Sequence, residues 1–524
     1  MSKKTRILNI LVLLGVLSFV LLFRWNSFNS PFERDEGEYA YSAWILKQNI
    51  LPYKNSFIQK PPMIIYTYLL SLYINPHALW PPRLLAMIFE AGSILLVGYI
   101  LKKDFDKSTA LIAMGLAIPM IMFFHLYSLA ANTEKFMLLP LLGTLAVYTY
   151  NKSKKNSWSR FLFGTLSALA VFYKQICFLP ILFIFLVWLI KGFQQDKKVK
   201  ILLVNIFYTI LGFLLTSWLI LSPFILKDAL SYVWECVIFF NKYYLENYGF
   251  SLNHSLRFLK LFLTNWWLLF FFSAWFFYKL PKNWWFYLGL FLTSLFSVSF
   301  SPLGHYYILI MPFWAMIASL GINSFATFLK KRKKSRSTQK TKVVITSILL
   351  VSMILAIKKQ FFLSPEDLNL LVYTKDNPFI EASIVAKRIT DLTSAKDYVY
   401  VLGCEPQILF YSKRKSPTRF FTNYPLVIES PKKIDYQRQT IADLKLKPPK
   451  AIVVSQYHLK KIWDGKTPKL LEQYMAELIE NKYRLIGGFI WNDNQGYWQE
   501  PITNDGQKAK ATLLLFIKNS KNEK

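Results

Sequence analysis

Six ionisable residues with chemical potential stand apart in an otherwise greasy chain: Asp35, Lys60, Arg83, Glu134, Lys174 and His305, the last followed by Tyr306. A carboxylate can take a proton from an incoming hydroxyl or amine, and Lys and Arg can neutralise a phosphate that leaves. That mixture suits group transfer from a lipid-linked phosphate. The sharpest local feature is the adjacent pair Asp35 and Glu36 in RDEGEYAYSAWILKQNILPY, which follows the first membrane-length apolar run and precedes KPP at 60–62. Ionised groups are expensive inside a bilayer and are kept there chiefly where they face a cavity, a partner or a substrate. Blander readings exist for each residue. Two acids can sit in a solvated loop, Arg or Lys at a span end can snorkel to headgroups, and a His there can be merely interfacial.

The elements that must position these residues decide between the readings. With 54% hydrophobic and 17% aromatic residues among 524, the chain is too apolar for one soluble core of its length, so it reads as a polytopic membrane protein. The formal charge of +33 falls in short clusters between apolar segments, a pattern of membrane orientation, and no nucleic-acid partner is expected. Cys177, Cys236 and Cys404 are far apart and form no CxxC, so neither a disulfide framework nor a zinc site is indicated. The N-terminal MSKKTR and the apolar run 7–23 lack a small-residue cleavage pattern and read as an uncleaved first span.

Spans of bilayer length are read at 7–23, 83–101, 108–125, 134–150, 158–173, 176–190, 201–222, 257–278, 283–300, 305–323 and 343–358, about eleven in all. Basic clusters then fall on one side: 3–6, 102–107, 152–160, 191–200 and KKRKKSRSTQKTK at 330–342. The positive-inside rule makes that side cytoplasmic. The six ionisable residues all come to the opposite, outer side, in loops or at the ends of spans. In the first outer loop, 36–49 and 63–74 have helical apolar spacing but are too short to span, and are read as interfacial helices broken by KPP. From about 359 the pattern changes to strand-like runs at 398–403, 451–456, 483–491 and 511–518 with helical stretches between. The expected fold is therefore a polytopic α-helical membrane domain at 1–358 and a soluble α/β domain at 359–524, placed outside by the odd number of spans.

DEGEYA at 35–40, PY at 52–53, KPP at 60–62, the Arg opening the next span, the Glu134 segment NTEKFMLLP and GHYYILIMP resemble the membrane-embedded GT-C glycosyltransferases. The branch most similar is that of the bacterial aminoarabinose-transferase and protein-O-mannosyltransferase-like enzymes. The resemblance covers roughly 1–358 and implies a multi-pass plasma-membrane enzyme. Such an enzyme moves a sugar from a polyprenyl phosphate, with inversion, to a lipid, glycan or protein acceptor on the outer face. It makes Asp35 the catalytic base and Glu134 a second acidic residue near the acceptor or a helper of the site. Lys60, Arg83, Lys174, His305 and Tyr306 become donor-phosphate contacts. Glu36, read apart from the resemblance, is expected to be mere surface charge, with a milder effect than Asp35 when neutralised. No cofactor is assigned, and a divalent metal is left open without ligands. The aminoarabinose branch generally has a basic residue where this chain has Glu38, so its donor does not carry over. The alternative is a polytopic transporter or lipid flippase, which would favour inverted repeats and Gly/Pro-broken spans near the bilayer centre. Neither stands out in the sequence.

Overall fold

A computed structural model describes residues 3–151, 156–196, 199–248, 251–299, 301–333, 338–375, 377–462, 469–492 and 495–519. Lys152, Lys154, Lys155, Lys197, Lys198 and 334–337 of the basic clusters lie outside these residues. Each expected span corresponds to a helix: α1 (Lys3–Arg24), α4 (Trp80–Asp104), α5 (Lys107–Ile121), α6 (Thr133–Tyr150), α7 (Ser157–Tyr173), α8 (Phe178–Asp196), α9 (Val199–Ile225), α12 (Leu252–Trp275), α13 (Trp284–Val298), α14 (Met311–Lys333) and α15 (Thr338–Ala356). Seven helical segments among the described residues are long and apolar enough to cross a membrane. The spans at α5, α7 and α13 are shorter, and α6 opens on Glu134 and Lys135.

Two of the span boundaries that move bear on the site. The span expected to reach 125 stops at Ile121, after Pro119 inside the helix, and the chain turns through a 3-10 segment at Phe124–Leu126 to Tyr127 in the left-handed region (φ 53°). The span expected from 305 begins with a 3-10 segment, Gly304–Ile310, so His305 and Tyr306 precede α14. Helices α7 and α9 meet backbone to backbone. A Cβ on Gly164 would strike the Thr209 carbonyl, and one on Gly212 the Phe161 carbonyl, so small residues set this contact as in membrane helix pairs.

The connection between α1 and α4 holds α2 (Arg34–Lys47) and α3 (Met63–Ile74). Glu33 and Glu36 form a reciprocal capping box at the start of α2, which fixes the first turn that carries Asp35. The long connection between α9 and α12 contains α10 (Leu230–Trp234), a π-helical stretch at Glu235–Phe239 and α11 (Phe240–Tyr248).

Beyond α15 the chain forms α16 (Pro365–Tyr373), α17 (Phe379–Leu392), β1 (Val399–Leu402), α18 (Gln407–Ser412), α19 (Tyr424–Val427), α20 (Lys433–Leu446), β2 (Ala451–Ser455), α21 (Gln456–Ile462), α22 (Leu470–Lys482), β3 (Tyr483–Asn492), β4 (Gln495–Gln499), α23 (Asp505–Lys510) and β5 (Ala511–Lys518). The sheet order is β1-β2-β5-β3-β4, with β1 and β2 parallel and the other pairs antiparallel. β1 and β2 are buried along their whole length, which is why they read as unbroken apolar runs. β4, QGYWQ, escaped the sequence: it is a short edge strand without an apolar alternation. This region seats directly on α2. A Cβ on Gly37 would lie 2.9 Å from the Gln407 Cα, so only glycine lets α18 approach so closely.

Candidate active site

Asp35 sits in the first turn of α2 and keeps 22% of its side chain exposed, while Lys60, 3.9 Å away, is nearly buried. KPP explains the lysine's position. The two prolines end the preceding loop and open α3, and the Lys60 carbonyl accepts a hydrogen bond from the Tyr53 hydroxyl at 2.8 Å. Burial works to neutralise the Lys60 ammonium, but Asp35, helped by Tyr306 and Glu38, outweighs it and holds the pKa well above the ordinary lysine value.

Three further groups arrive from three different span ends. Glu134 opens α6, Lys174 caps α7 in an extended conformation, and His305 lies in the 3-10 segment before α14. Lys174 forms an ion pair with Glu134, its ammonium lies 3.3 Å from the centre of the Tyr306 ring, and His305 Nε2 is 3.7 Å from Glu134 Oε1. Thr133 donates to the other Glu134 oxygen at 3.0 Å.

Two cavities meet at this set. A chamber of about 180 Å³ is lined by Asp35, Glu33, Lys60, Tyr127, Asn132 and His305, with Tyr373, Asn377, Phe379 and Tyr424 of the C-terminal region closing it. A larger cavity of about 520 Å³ is lined by Lys60, Lys174 and Tyr306 together with Ile176, Ile238 and Leu245. Gln59, Lys60 and Tyr244 belong to both. Around the chamber, Gln59 Oε1, Asn132 Oδ1, His305 Nε2 and the Tyr373 hydroxyl are buried polar atoms with no hydrogen-bond partner among the described residues. Leaving buried polar groups unpaired is costly, and these four border the chamber where a polar group could meet them.

The structure thus brings Asp35, Lys60, Lys174, His305 and Tyr306 to adjoining cavities, but it separates two expected site residues from them. Arg83 lines neither cavity. Its guanidinium is buried against Glu36 (2.6 and 3.0 Å) and the carbonyls of Ser27, Ser30 and Pro31, which occupies the donors a phosphate would need. Glu134 also lines neither and stands behind Lys174 and His305, 1% exposed. Glu36, expected to be mere surface charge, is wholly buried and accepts from Arg83 and from the Ala131 amide at 2.8 Å. The pair therefore locks the start of α2 to α4 and to the turn before α6.

Sequence reasoning missed a second buried set, Arg24, Glu90 and Lys135, in which the Glu90 carboxylate bridges the two cations at 2.5 and 2.7 Å. Arg24 also holds the Leu129 carbonyl, and Lys135 the Ile121 carbonyl. A lone acid in the middle of the apolar run 83–101 was the available signal. The contact from Arg34 to the Cys404 carbonyl (2.6 Å), with Glu405 3.8 Å away, was not legible in the sequence, because its partners are 370 residues apart. Among the described residues no group of three or more His, Cys, Asp or Glu is arranged to hold a metal ion.

Residues 59–226 match the family model described as dolichyl-phosphate-mannose-protein mannosyltransferase, a stretch that contains Lys60, Arg83, Glu134 and Lys174 but not Asp35 or His305. A comparison with curated protein sequences finds no match. Among solved structures, the chain is similar to ArnT from Cupriavidus metallidurans bound to undecaprenyl phosphate, at 12% identity and a TM-score of 0.61, over 99% of both chains. It is also similar to the oligosaccharyltransferase AglB from Archaeoglobus fulgidus in complex with an inhibitory peptide and a dolichol-phosphate, at 12% identity and a TM-score of 0.55. That likeness covers 96% of this chain and 75% of AglB. The chain has the GT-C fold. In this fold the long apolar helices present one set of their ends to the two cavities, and the C-terminal region roofs the smaller one.

Proposed function

We propose that this protein is an inverting glycosyltransferase that moves a sugar from a polyprenyl-phosphate donor to an acceptor on the outer face of the plasma membrane. The observation that carries the reading is the meeting of the two cavities at Lys60, with Asp35 on the chamber side and Lys174 on the other. The larger cavity combines cations with apolar walls, as a phosphate on a hydrocarbon tail requires. The chamber combines a carboxylate with unpaired polar atoms, as a sugar and its acceptor require. The lipid phosphates in the ArnT and AglB structures are of the same chemical kind.

In this reading an acceptor hydroxyl oxygen attacks the anomeric carbon as its proton passes to the Asp35 carboxylate. The bond from that carbon to the phosphate oxygen breaks, and the electron pair stays on the phosphate. Lys60 and Lys174, beside Tyr306, sit where the added negative charge collects. His305 helps define the junction. Glu134 positions Lys174 rather than meeting the acceptor, and Arg83 positions α2 through Glu36. Residues 1–358 form the catalytic membrane domain, and 359–524 an extracytoplasmic domain that covers the acceptor chamber.

The test is transfer of radiolabelled sugar from a panel of polyprenyl-phosphate donors by membranes carrying the protein. Asp35→Asn keeps the size and removes the basicity, so turnover should fall by at least about 100-fold, the lower end of general-base contributions. Near wild-type turnover removes Asp35 as the base. No transfer by the wild type from any donor would favour a transporter. Orientation is tested separately by labelling single cysteines in intact cells. Ser383→Cys, exposed in α17, should react with an impermeant reagent, and Ser157→Cys, exposed at the start of α7, should not. The reverse pattern inverts the topology.

A further inference from the structure

A third cavity of about 460 Å³ lies on the far side of Tyr127, whose ring belongs to the wall of both this groove and the catalytic chamber. Its floor comes from Phe124 and His125, and one side from α12, which contributes Arg257, Lys260 and Asn265. Tyr127 stacks on Tyr373 (ring centres 5.4 Å apart, 11° between planes) and meets His305 edge-on, so one aromatic layer separates the groove from the site.

The outer half of α12 carries two adjoining stripes. Leu252, Leu256, Leu259, Leu263 and Trp267 are exposed along one face of this membrane-length helix, and Arg257, Lys260 and Thr264 follow the next. Neither Arg257 nor Lys260 has an acidic partner within ion-pair distance among the described residues, unlike every cation of the catalytic set. Simple snorkelling would explain cations at a span end, but it does not explain why both line one concave groove that abuts the chamber.

We infer that this groove binds the acceptor, and that the acceptor is an anionic lipid: its tail lies on the leucine stripe of α12, its headgroup sits between Arg257 and Lys260, and its hydroxyl-bearing end reaches the chamber past Tyr127. The inference rests on the transferase reading and names the acceptor class for the same site. It gives the two lipids opposite sides, the donor entering from the Lys174 cavity and the acceptor from the α12 groove, so that neither product crosses the path of the other.

Full-length protein in vesicles is exposed to photoactivatable phosphatidylglycerol or to phosphatidylcholine with the same acyl chains, and labelling of the 252–266 stretch is mapped. The anionic lipid should label at least roughly tenfold more, the difference expected from charge-assisted headgroup contacts. Arg257→Gln with Lys260→Gln should fall to the phosphatidylcholine level, Arg257→Lys with Lys260→Arg should retain labelling, and excess inorganic phosphate should not compete. Equal labelling by both lipids means interfacial anchoring only and overturns the proposal. Competition by free phosphate overturns the lipid assignment. In the transfer assay, labelled sugar should appear on phosphatidylglycerol, resolved by chromatography from the polyprenyl-phosphate donor, and the Gln pair should raise the acceptor KM while leaving the donor KM within about twofold, since the donor's charged contacts lie elsewhere. Sugar transferred to protein alone overturns the acceptor assignment and leaves the transferase reading standing. Lipid labelling without any sugar transfer overturns the transferase reading, and the acceptor role with it.

Discussion

Asp35 and Glu36 are neighbours in sequence and opposites in use. Asp35 is partly exposed to a chamber and stands 3.9 Å from its cation, whereas Glu36 is wholly buried and holds Arg83 at 2.6 Å. The same contrast separates the cavity set, Lys60, Lys174 and His305, from the buried set, Arg24, Glu90 and Lys135. Residue type does not distinguish the two sets. Access and saturation do: a charge whose hydrogen-bonding capacity is filled by protein has nothing left for a ligand, and one that borders a cavity does.

The largest effects should fall on opposite measurements for the two neighbours. Asp35→Asn removes turnover by at least about 100-fold and lowers the melting temperature less than Arg83→Met does, because its carboxylate borders a cavity and stands 3.9 Å from Lys60 without a direct hydrogen bond to it. Arg83→Met should do the reverse and destabilise by about 3–5 kcal/mol, since it strands the buried Glu36 carboxylate. Thermal unfolding in detergent reads this, and a near-unchanged melting temperature with weakened donor binding would return Arg83 to the phosphate site. Glu90→Leu, which strands Arg24 and Lys135, should destabilise on the same scale.

Within the cavity set the expected effects are smaller. Lys174→Met should weaken binding of a polyprenyl phosphate by roughly tenfold, the loss of one charge-assisted contact, and titration with undecaprenyl phosphate measures it. Unchanged affinity would mean that Glu134 already satisfies the lysine and that it is structural like Arg83.

A separate effect is a pH dependence at Glu38, buried one turn after Asp35. Burial pushes its carboxyl up to about 8, with Lys60 only partly opposing. A pKa raised above the unfolded value stabilises fully below about 4.5 and loses that contribution as pH rises through about 8. Wild-type melting temperature should therefore decline from pH 5 to pH 9 relative to Glu38→Gln, whose curve lacks this component. Parallel curves would show Glu38 ionised throughout, held by Lys60.

Much of the architecture was legible locally. Apolar runs of bilayer length, KPP, and the parallel strands at 399–402 and 451–455 each announce themselves over a few residues, because hydrophobic burial and proline geometry act at short range. The edge strand β4 did not, since it is short and half-exposed and takes its conformation from pairing with β3. Asp35, Lys60 and Lys174 were visible as charges where an apolar chain should carry none. Glu90 sent the same signal from inside a span.

The sequence by itself determined where the chain is apolar enough to span and that charged groups stand near the ends of those spans. Only the tertiary structure decided which of those charges are spent on one another. Arg83 and Glu36, 47 positions apart, and Arg34 and Cys404, 370 apart, become partners through helix packing. Coulomb and hydrogen-bond energies depend on ångström separations and on exclusion of water, and neither quantity is written in the spacing of residues along a chain.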